Sequence, residues 1–432
     1  MDKVKIALLG LGTVGCGVLK GLKQHRGKIE KTLGKELELC SILVRSPYKK
    51  RNVEVPSELL TTSIEEVFSD PGLSVVIEAM GGLEPALSYV KLALHQGCHV
   101  ITANKALIAK YGQELHELAA AKGVQLLYEA SVGGAIPIIS TVRHFLKVNE
   151  VYKLYGILNG TTNYILTKMW EREESYQKIL LEAQSLGYAE ADPTADVEGY
   201  DALHKLTILT NLCFGITPDL ERIARTGIAD ISVDELKLAY HFGYRIKLLA
   251  SVEKKNGNIH LKVAPSLLPL SHPLASVDDV VNAVCIQTDL AGELTFFGRG
   301  AGELPTASAV LEDLFYLLRN QNQNSTPDAS IEKVELDYAQ SASEYFLYLQ
   351  VPEKQADEQL SKLLHLLRKE GIYVHNATQV LDKNGFISIG ARMTCHSTNT
   401  LKNISYHFGE KITIREVLEQ GDDSVYAASV NL

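Results

Sequence analysis

Lys3-Val4-Lys5-Ile6-Ala7-Leu8-Leu9-Gly10-Leu11-Gly12-Thr13-Val14-Gly15 decides the fold. A short β-type run ends at Leu9, three glycines follow with the spacing G-x-G-x-x-G, and Val18 to His25 continues at helical periodicity. In a strand–turn–helix setting the first glycine permits the tight turn and the second lets the backbone approach a pyrophosphate. The third allows close packing, and the helix N-terminus supplies free N–H groups. Gly10, Leu11, Gly12, Thr13, Val14 and Gly15 are therefore the candidate cofactor-binding turn. Working outward, a second strand, Leu37 to Val44, ends at Arg45. A third, Ser74 to Glu78, ends at Met80-Gly81-Gly82, and a fourth, His99 to Ala103, ends at Asn104-Lys105. Between the last two, Ala86, Tyr89, Val90, Ala93 and Leu94 fall at helical spacing. Strands alternating with helices predict an α/β, doubly wound parallel sheet with ligands at the carboxyl ends of its strands.

The chain has 432 residues, 43 Lys+Arg against 52 Asp+Glu, and a formal charge of −9. That length predicts two or three domains, each able to bury its own core. The acidic balance argues against non-specific binding to nucleic acid or to an anionic membrane, both of which need clustered Lys and Arg. No apolar stretch is long enough to span a membrane and none at the N-terminus has signal-peptide form, so a cytoplasmic protein is expected. The six cysteines form no CxxC pair and no regular framework, and are expected to be reduced, mostly buried thiols.

After Val124 to Glu129 the alternation breaks at Ser131-Val132-Gly133-Gly134-Ala135-Ile136-Pro137, which sets a first boundary: 1–130, then 131–320. The middle region reads as α+β, with helices near Tyr176 to Leu186 and Gly199 to Phe214. Strand-like runs fall near Ile259 to Ala264 and Val280 to Asp289, and a helix from Thr306 to Leu318. The polar run beginning Arg319-Asn320-Gln321 opens a linker, 321–340. Residues 341–432 read β-α-β-β-α-β: strand Tyr345 to Val351, helix Asp357 to Lys369, strands Ile372 to Val380 and Phe386 to Met393, helix Thr398 to Phe408, strand Lys411 to Glu416. That is the order of a small ferredoxin-like module.

Three features point to chemistry. At the end of the second strand, where a free 2′-hydroxyl usually meets an acidic side chain, Arg45 stands with Lys49, Lys50 and Arg51 just beyond. This favours the 2′-phosphate of NADP; the plain alternative is a solvated arginine. Lys105 follows the fourth strand, in the ligand crevice. Gly187 to Asp201 is dense in carboxylates and enters a helix carrying Asp201 and Lys205 at i, i+4, hence on one face; the plain alternative is a capping carboxylate with a surface ion pair.

Together these stretches resemble the homoserine dehydrogenase family, of the type with a C-terminal ACT-like module. The matching segments are Gly10 to Gly15, Val100 to Lys105, Glu129 to Gly134, Gly156 to Asn163, Gly187 to Lys205 and Gly298 to Gly302. The resemblance implies a Rossmann-type dinucleotide-binding domain (1–130), an α+β catalytic and oligomerisation domain (131–320) and an ACT-type module (341–432). It implies reversible NAD(P)-dependent hydride transfer between L-homoserine and L-aspartate 4-semialdehyde, a step serving threonine, methionine and isoleucine biosynthesis. NADP is the expected cofactor and NAD the alternative.

Carried onto this sequence, the resemblance makes Lys205 the general acid/base, Asp201 its orienter and Lys105 a second lysine at substrate and nicotinamide. Glu190 takes the substrate's α-ammonium, with Asp196 also at the substrate, and Gly302 lies where the chain returns to the cofactor. An ammonium that stabilises a developing alkoxide and gives it a proton suits aldehyde reduction. The family also implies a structural monovalent cation, sodium, held by Glu129 and by the Val132, Gly134 and Ile136 backbone. A homodimer or homotetramer is expected, with threonine as a candidate effector. Against that last expectation, Val351-Pro352-Glu353-Lys354-Gln355-Ala356-Asp357 lacks the glycine turn of amino-acid-binding ACT modules. Two other readings are a reductase of another amino-acid-derived carbonyl and a non-enzymatic amino-acid sensor.

Overall fold

Six parallel strands build the first sheet of the computed structural model: β1 (Asp2–Leu9), β2 (Lys35–Leu43), β3 (Leu60–Thr61), β4 (Leu73–Glu78), β5 (His99–Thr102) and β6 (Leu126–Leu127). Their order is β3-β2-β1-β4-β5-β6. The order reverses direction between β1 and β4, which makes the crevice at their carboxyl ends the kind of switch point at which open α/β sheets take ligands. Ile6 to Leu9 and Val75 to Ile77 are fully buried, the continuous apolar runs that a sheet covered on both faces requires. Residues 2–255, 257–320, 335–336, 343–381, 385–395, 398–408 and 412–418 are described; most of the expected linker 321–340 lies outside them.

The helix Thr13–Leu33 leaves the glycine turn and packs on the helix Glu303–Arg319. The contact face is Gly17 and Gly21, one helical turn apart: a Cβ on Gly17 would stand 2.9 Å from that of Ala307, and one on Gly21 would strike Leu311. Only glycine allows the backbones this close. Ala307, Val310, Leu314 and Leu317 thus complete the core of the first sheet.

The second sheet joins β7 (Val151–Ile157), β8 (Ala224–Arg225), β9 (Tyr244–Lys255), β10 (Asn258–Pro269), β11 (Val281–Thr288), β12 (Gly292–Arg299) and β13 (Glu335–Leu336). Its order is β12-β11-β7-β9-β10-β13, with β8 beside β10. The expected runs near 259–264 and 280–289 are β10 and β11. Sequence reading had no counterpart for β9, because Ile246 to Val252 is apolar on both faces apart from Lys247 and Ser251, and lacks the period-two alternation of a half-exposed strand.

β14 (Ser343–Pro352), the helix Ala356–Lys369, β15 (Tyr373–Leu381), β16 (Phe386–Cys395), the helix Thr398–Phe408 and β17 (Ile412–Glu416) form the β-α-β-β-α-β module, with sheet order β15-β16-β14-β17. Its core is Leu347, Leu349, Val351, Leu363, Ile389, Met393 and Ile404. The module is clamped onto the second sheet. Buried Arg415 forms a bidentate pair with buried Glu235, and the Leu418 N–H donates to the Leu267 carbonyl at 2.9 Å. By compactness the chain divides into one unit of 1–150, 204–218 and 296–333, and another of 151–203, 219–295 and 334–432.

Candidate active site

Gly10 has φ +96°, and a Cβ there would stand 2.7 Å from the Ala79 carbonyl oxygen. A Cβ on Gly15 would collide with the Gly10 carbonyl, whereas at Gly12 one would meet nothing within 4 Å. The outer glycines are thus required by the protein's own backbone, and the middle one faces open space. Gly12 is the N-cap of the helix Thr13–Leu33, with no side-chain cap and no acidic residue in the first turn. Uncapped N–H groups beside an open cradle fit a pyrophosphate.

Arg45 is exposed at the carboxyl end of β2. Beyond it the Arg51 guanidinium donates to the Lys49 and Ser46 carbonyls, both at 2.8 Å, and draws the basic loop into a tight curl. Burial raises the Cys16 thiol pKa and Glu303 adds to the shift, while the charges of Lys20, Arg51 and Lys49 oppose it. Gly302, at φ +125°, caps the helix Glu303–Arg319, and Glu303 holds Lys20 at 2.5 Å and accepts from Asn52 at 3.1 Å. The chain here packs beside the helix Thr13–Leu33 and the loop that carries Asn52.

At the ends of β4 and β5, Glu78 is fully buried, and burial raises its carboxyl pKa. It accepts from Met80 N at 2.7 Å and from the Thr102 hydroxyl at 2.5 Å. The same hydroxyl accepts from Asn104 N at 3.0 Å, and Asn104 Oδ1 caps the helix Lys105–Lys122 through Leu107 N at 3.2 Å. Lys105 is thereby the first residue of a rigidly seated helix.

The helix Tyr200–Phe214 is unbroken, so Asp201 and Lys205 keep their i, i+4 spacing. Both are buried, 5% and 6% exposed, which excludes the surface ion pair as their explanation. Further along, Thr207, Ile208 and Asn211 line a small cavity together with Ile108, Ala109 and Gly112 of the Lys105–Lys122 helix. The two lysine-bearing helices are therefore neighbours. Asp196 and Asp201 are joined by one amide: Asn159 Nδ2 donates to Asp196 Oδ1 at 2.7 Å and to Asp201 Oδ2 at 2.9 Å. Glu190 is exposed on the loop before them, its carbonyl held by Gln184 at 3.0 Å, and takes no part in the Asn159 bonds.

Glu129 is buried in the glycine-rich turn and its carboxylate accepts from Ile139 N at 2.9 Å and Ser140 N at 2.7 Å. Gly133 and Gly134 both have positive φ, and Gly134 is packed against the Arg299 and Gly300 carbonyls. Burial raises the Glu129 pKa. Among the described residues no cluster of three or more His, Cys, Asp or Glu could hold a metal, and no helix is long and apolar enough to cross a membrane.

Residues 10–129 match the family model "homoserine dehydrogenase, NAD binding domain", and residues 137–315 match the model "homoserine dehydrogenase". The homoserine dehydrogenase of Bacillus subtilis is 38% identical over 382 residues, 88% of each chain. That of Synechocystis is 43% identical over 344 residues, 78% of this chain and 79% of that one. The chain belongs to the homoserine dehydrogenase family. A homoserine dehydrogenase structure from Thiobacillus denitrificans aligns at TM-score 0.88 and 34% identity, over 98% of this chain and 99% of that one. A hyperthermophilic archaeal homoserine dehydrogenase in complex with NADPH aligns at TM-score 0.63 and 29% identity, over 75% and 100%.

The family membership makes this an oxidoreductase with an NAD(P)-binding domain, and the open cradle at Gly12 agrees with it. Sequence reasoning missed Asn159, although it quoted the segment containing it. The available signal was an N-cap asparagine opening the helix Gly160–Arg172, which predicts a capping oxygen but not what the amide nitrogen meets. It also missed Glu78 and Thr102, whose contact joins two strands 24 residues apart.

Proposed function

We propose that this homoserine dehydrogenase interconverts L-homoserine and L-aspartate 4-semialdehyde with NADP in preference to NAD, using Lys205 as general acid/base. The observation that carries this reading is the burial of Lys205 with Asp201 on one helix, beside the helix that Lys105 opens. A lysine removed from water, with a carboxylate one helical turn away on the same helix, suits proton transfer better than an exposed lysine.

The Gly10–Gly15 turn would hold the pyrophosphate of a nicotinamide cofactor, which would supply or accept the hydride. In the reductive direction Lys205 hands a proton to the oxygen that becomes the homoserine hydroxyl; in the oxidative direction it receives that proton. Asp201 orients the ammonium, and Lys105 supplies a second positive charge to the developing alkoxide. Glu190, exposed on its loop, takes the α-ammonium, and Asp196 completes the acidic side of the substrate site. Arg45, exposed at the end of β2, meets the 2′-phosphate, supported by Lys49 and Arg51.

The Glu129 turn fits a hard monovalent cation such as sodium. Its donors are oxygens only, and its buried carboxylate meets neutral N–H groups. Glu129 and the Val132, Gly134 and Ile136 carbonyls would hold the ion, whose charge would neutralise the turn. The proposal further includes a cytoplasmic homodimer or homotetramer. Threonine is the candidate effector of the C-terminal module, although Glu353–Gln355 forms a tight turn running straight into the helix Ala356–Lys369, without the glycine turn that an amino-acid backbone would dock on. The test is an assay with homoserine and each cofactor, with and without threonine. Homoserine-dependent formation of reduced NADP supports the reading; its absence with both cofactors, or equal turnover of analogues lacking the α-ammonium, refutes it.

A further inference from the structure

The side-chain amide of Asn159 is fully committed. Its oxygen accepts from Thr162 N at 2.8 Å and from the Thr162 hydroxyl at 3.0 Å, which fixes which end of the amide faces the helix. The nitrogen is therefore turned the other way, and its two hydrogens go to two different carboxylates, Asp196 at 2.7 Å and Asp201 at 2.9 Å. Asn159 is 4% exposed and Asp201 5%. Two carboxylates sharing one small site raise each other's pKa unless donors favour the charged forms. An amide N–H₂ does so without adding a charge of its own.

The backbone carrying Asn159 is anchored one turn further on. Asn163 donates to the Val277 and Val281 carbonyls at 3.0 and 3.1 Å and accepts from Lys247 at 3.0 Å. Lys247, 1% exposed, also bonds Asp278 at 3.0 Å. The helix Gly160–Arg172 is thus tied down by buried polar groups, and its cap residue is held still.

We infer that Asn159 is a positioning residue for the reaction: its amide gives one hydrogen to each of Asp196 and Asp201 and so fixes the orientation of both, which lets Asp201 aim Lys205. The inference rests on the proposed roles of Asp201 and Lys205, and the test separates the two. Asn159→Asp and Asn159→Ser both keep an oxygen that caps the helix, so both should fold, as circular dichroism checks; each should lose some melting temperature, because Asn159→Asp adds a third carboxyl to the site and Asn159→Ser leaves two carboxylates without the amide. Both should lose about 100-fold in kcat, as misplacement of a catalytic group does, with cofactor affinity little changed.

The Asn159→Asp variant should recover relative to wild type as pH falls, because its introduced carboxyl, once protonated, can again donate to one neighbouring carboxylate; the Asn159→Ser variant should show no such recovery. Equal, pH-independent losses in both variants would show a purely structural role and overturn the inference. So would an Asn159→Asp variant within about threefold of wild type at every pH. Asp201→Asn and Lys205→Ala are measured alongside. If these retain turnover, the underlying reading fails; if they lose it while Asn159→Asp does not, only the inference fails.

Discussion

The Glu129 backbone N–H donates to Asp313 Oδ2 at 2.8 Å, so a buried acid and a half-buried one meet where the glycine-rich turn touches the returning helix. Burial, and then the Glu129 charge, lift the Asp313 carboxyl to about 8. A carboxyl whose folded pKa is raised contributes stability that is full below its unfolded value and is lost as pH rises through the folded one. With sodium replaced by tetramethylammonium, so that no cation offsets the two acids, wild type should therefore lose stability from about pH 4 to about pH 8. Asp313→Asn should flatten that slope in melting curves taken across the range; an unchanged slope would place the titration elsewhere.

The same acids give the cation proposal a readout independent of activity. At about pH 8 and equal ionic strength, sodium should raise the melting temperature by a few degrees over tetramethylammonium, as a ligand well above its Kd does. Glu129→Ala should abolish the difference. Identical melting in both salts would remove the cation from the account.

Gly10 and Gly12 make a matched pair. Gly10→Ala puts a side chain at φ +96° against the Ala79 carbonyl and should destabilise by about 2–4 kcal/mol. Gly12→Val projects into open space, so it should leave melting within about 1 kcal/mol of wild type while raising the KM for the dinucleotide at least about tenfold. The opposite pattern would move the phosphate site off this turn.

Arg45→Ala should raise the KM for NADP by about 10- to 100-fold, the worth of a lost charge-assisted bond to phosphate, and leave that for NAD within about twofold. Equal effects on both cofactors would return Arg45 to a solvated surface role.

The local parts of this protein were legible in the sequence. The Gly10–Gly15 turn, the alternating elements around it and the β-α-β-β-α-β order beyond 340 all follow from patterns within a few residues of one another. What was hidden depends on partners far away in the chain. Gly17 and Gly21 read as mere gaps in a helix until Ala307 and Leu311 are seen against them. Asp201 and Lys205 read equally well as a surface pair, because periodicity does not reveal burial when the helix Tyr200–Phe214 is covered on nearly every side. Asn159 meets Asp201 across 42 residues of chain, and capping preference describes only its other end. The buried Lys247 within β9 departs from strand patterning for the same reason: its partners, Asn163 and Asp278, lie on other elements.

The central claim is proton transfer by Lys205 during homoserine oxidation. The most direct test is the initial rate of homoserine-dependent NADP reduction, measured for wild type and Lys205→Ala together with NADPH binding to each. Wild type should turn over, and the variant should lose about 100- to 10,000-fold in kcat while binding NADPH as before. A variant that turns over near the wild-type rate, or a wild type with no homoserine-dependent reduction, would contradict it.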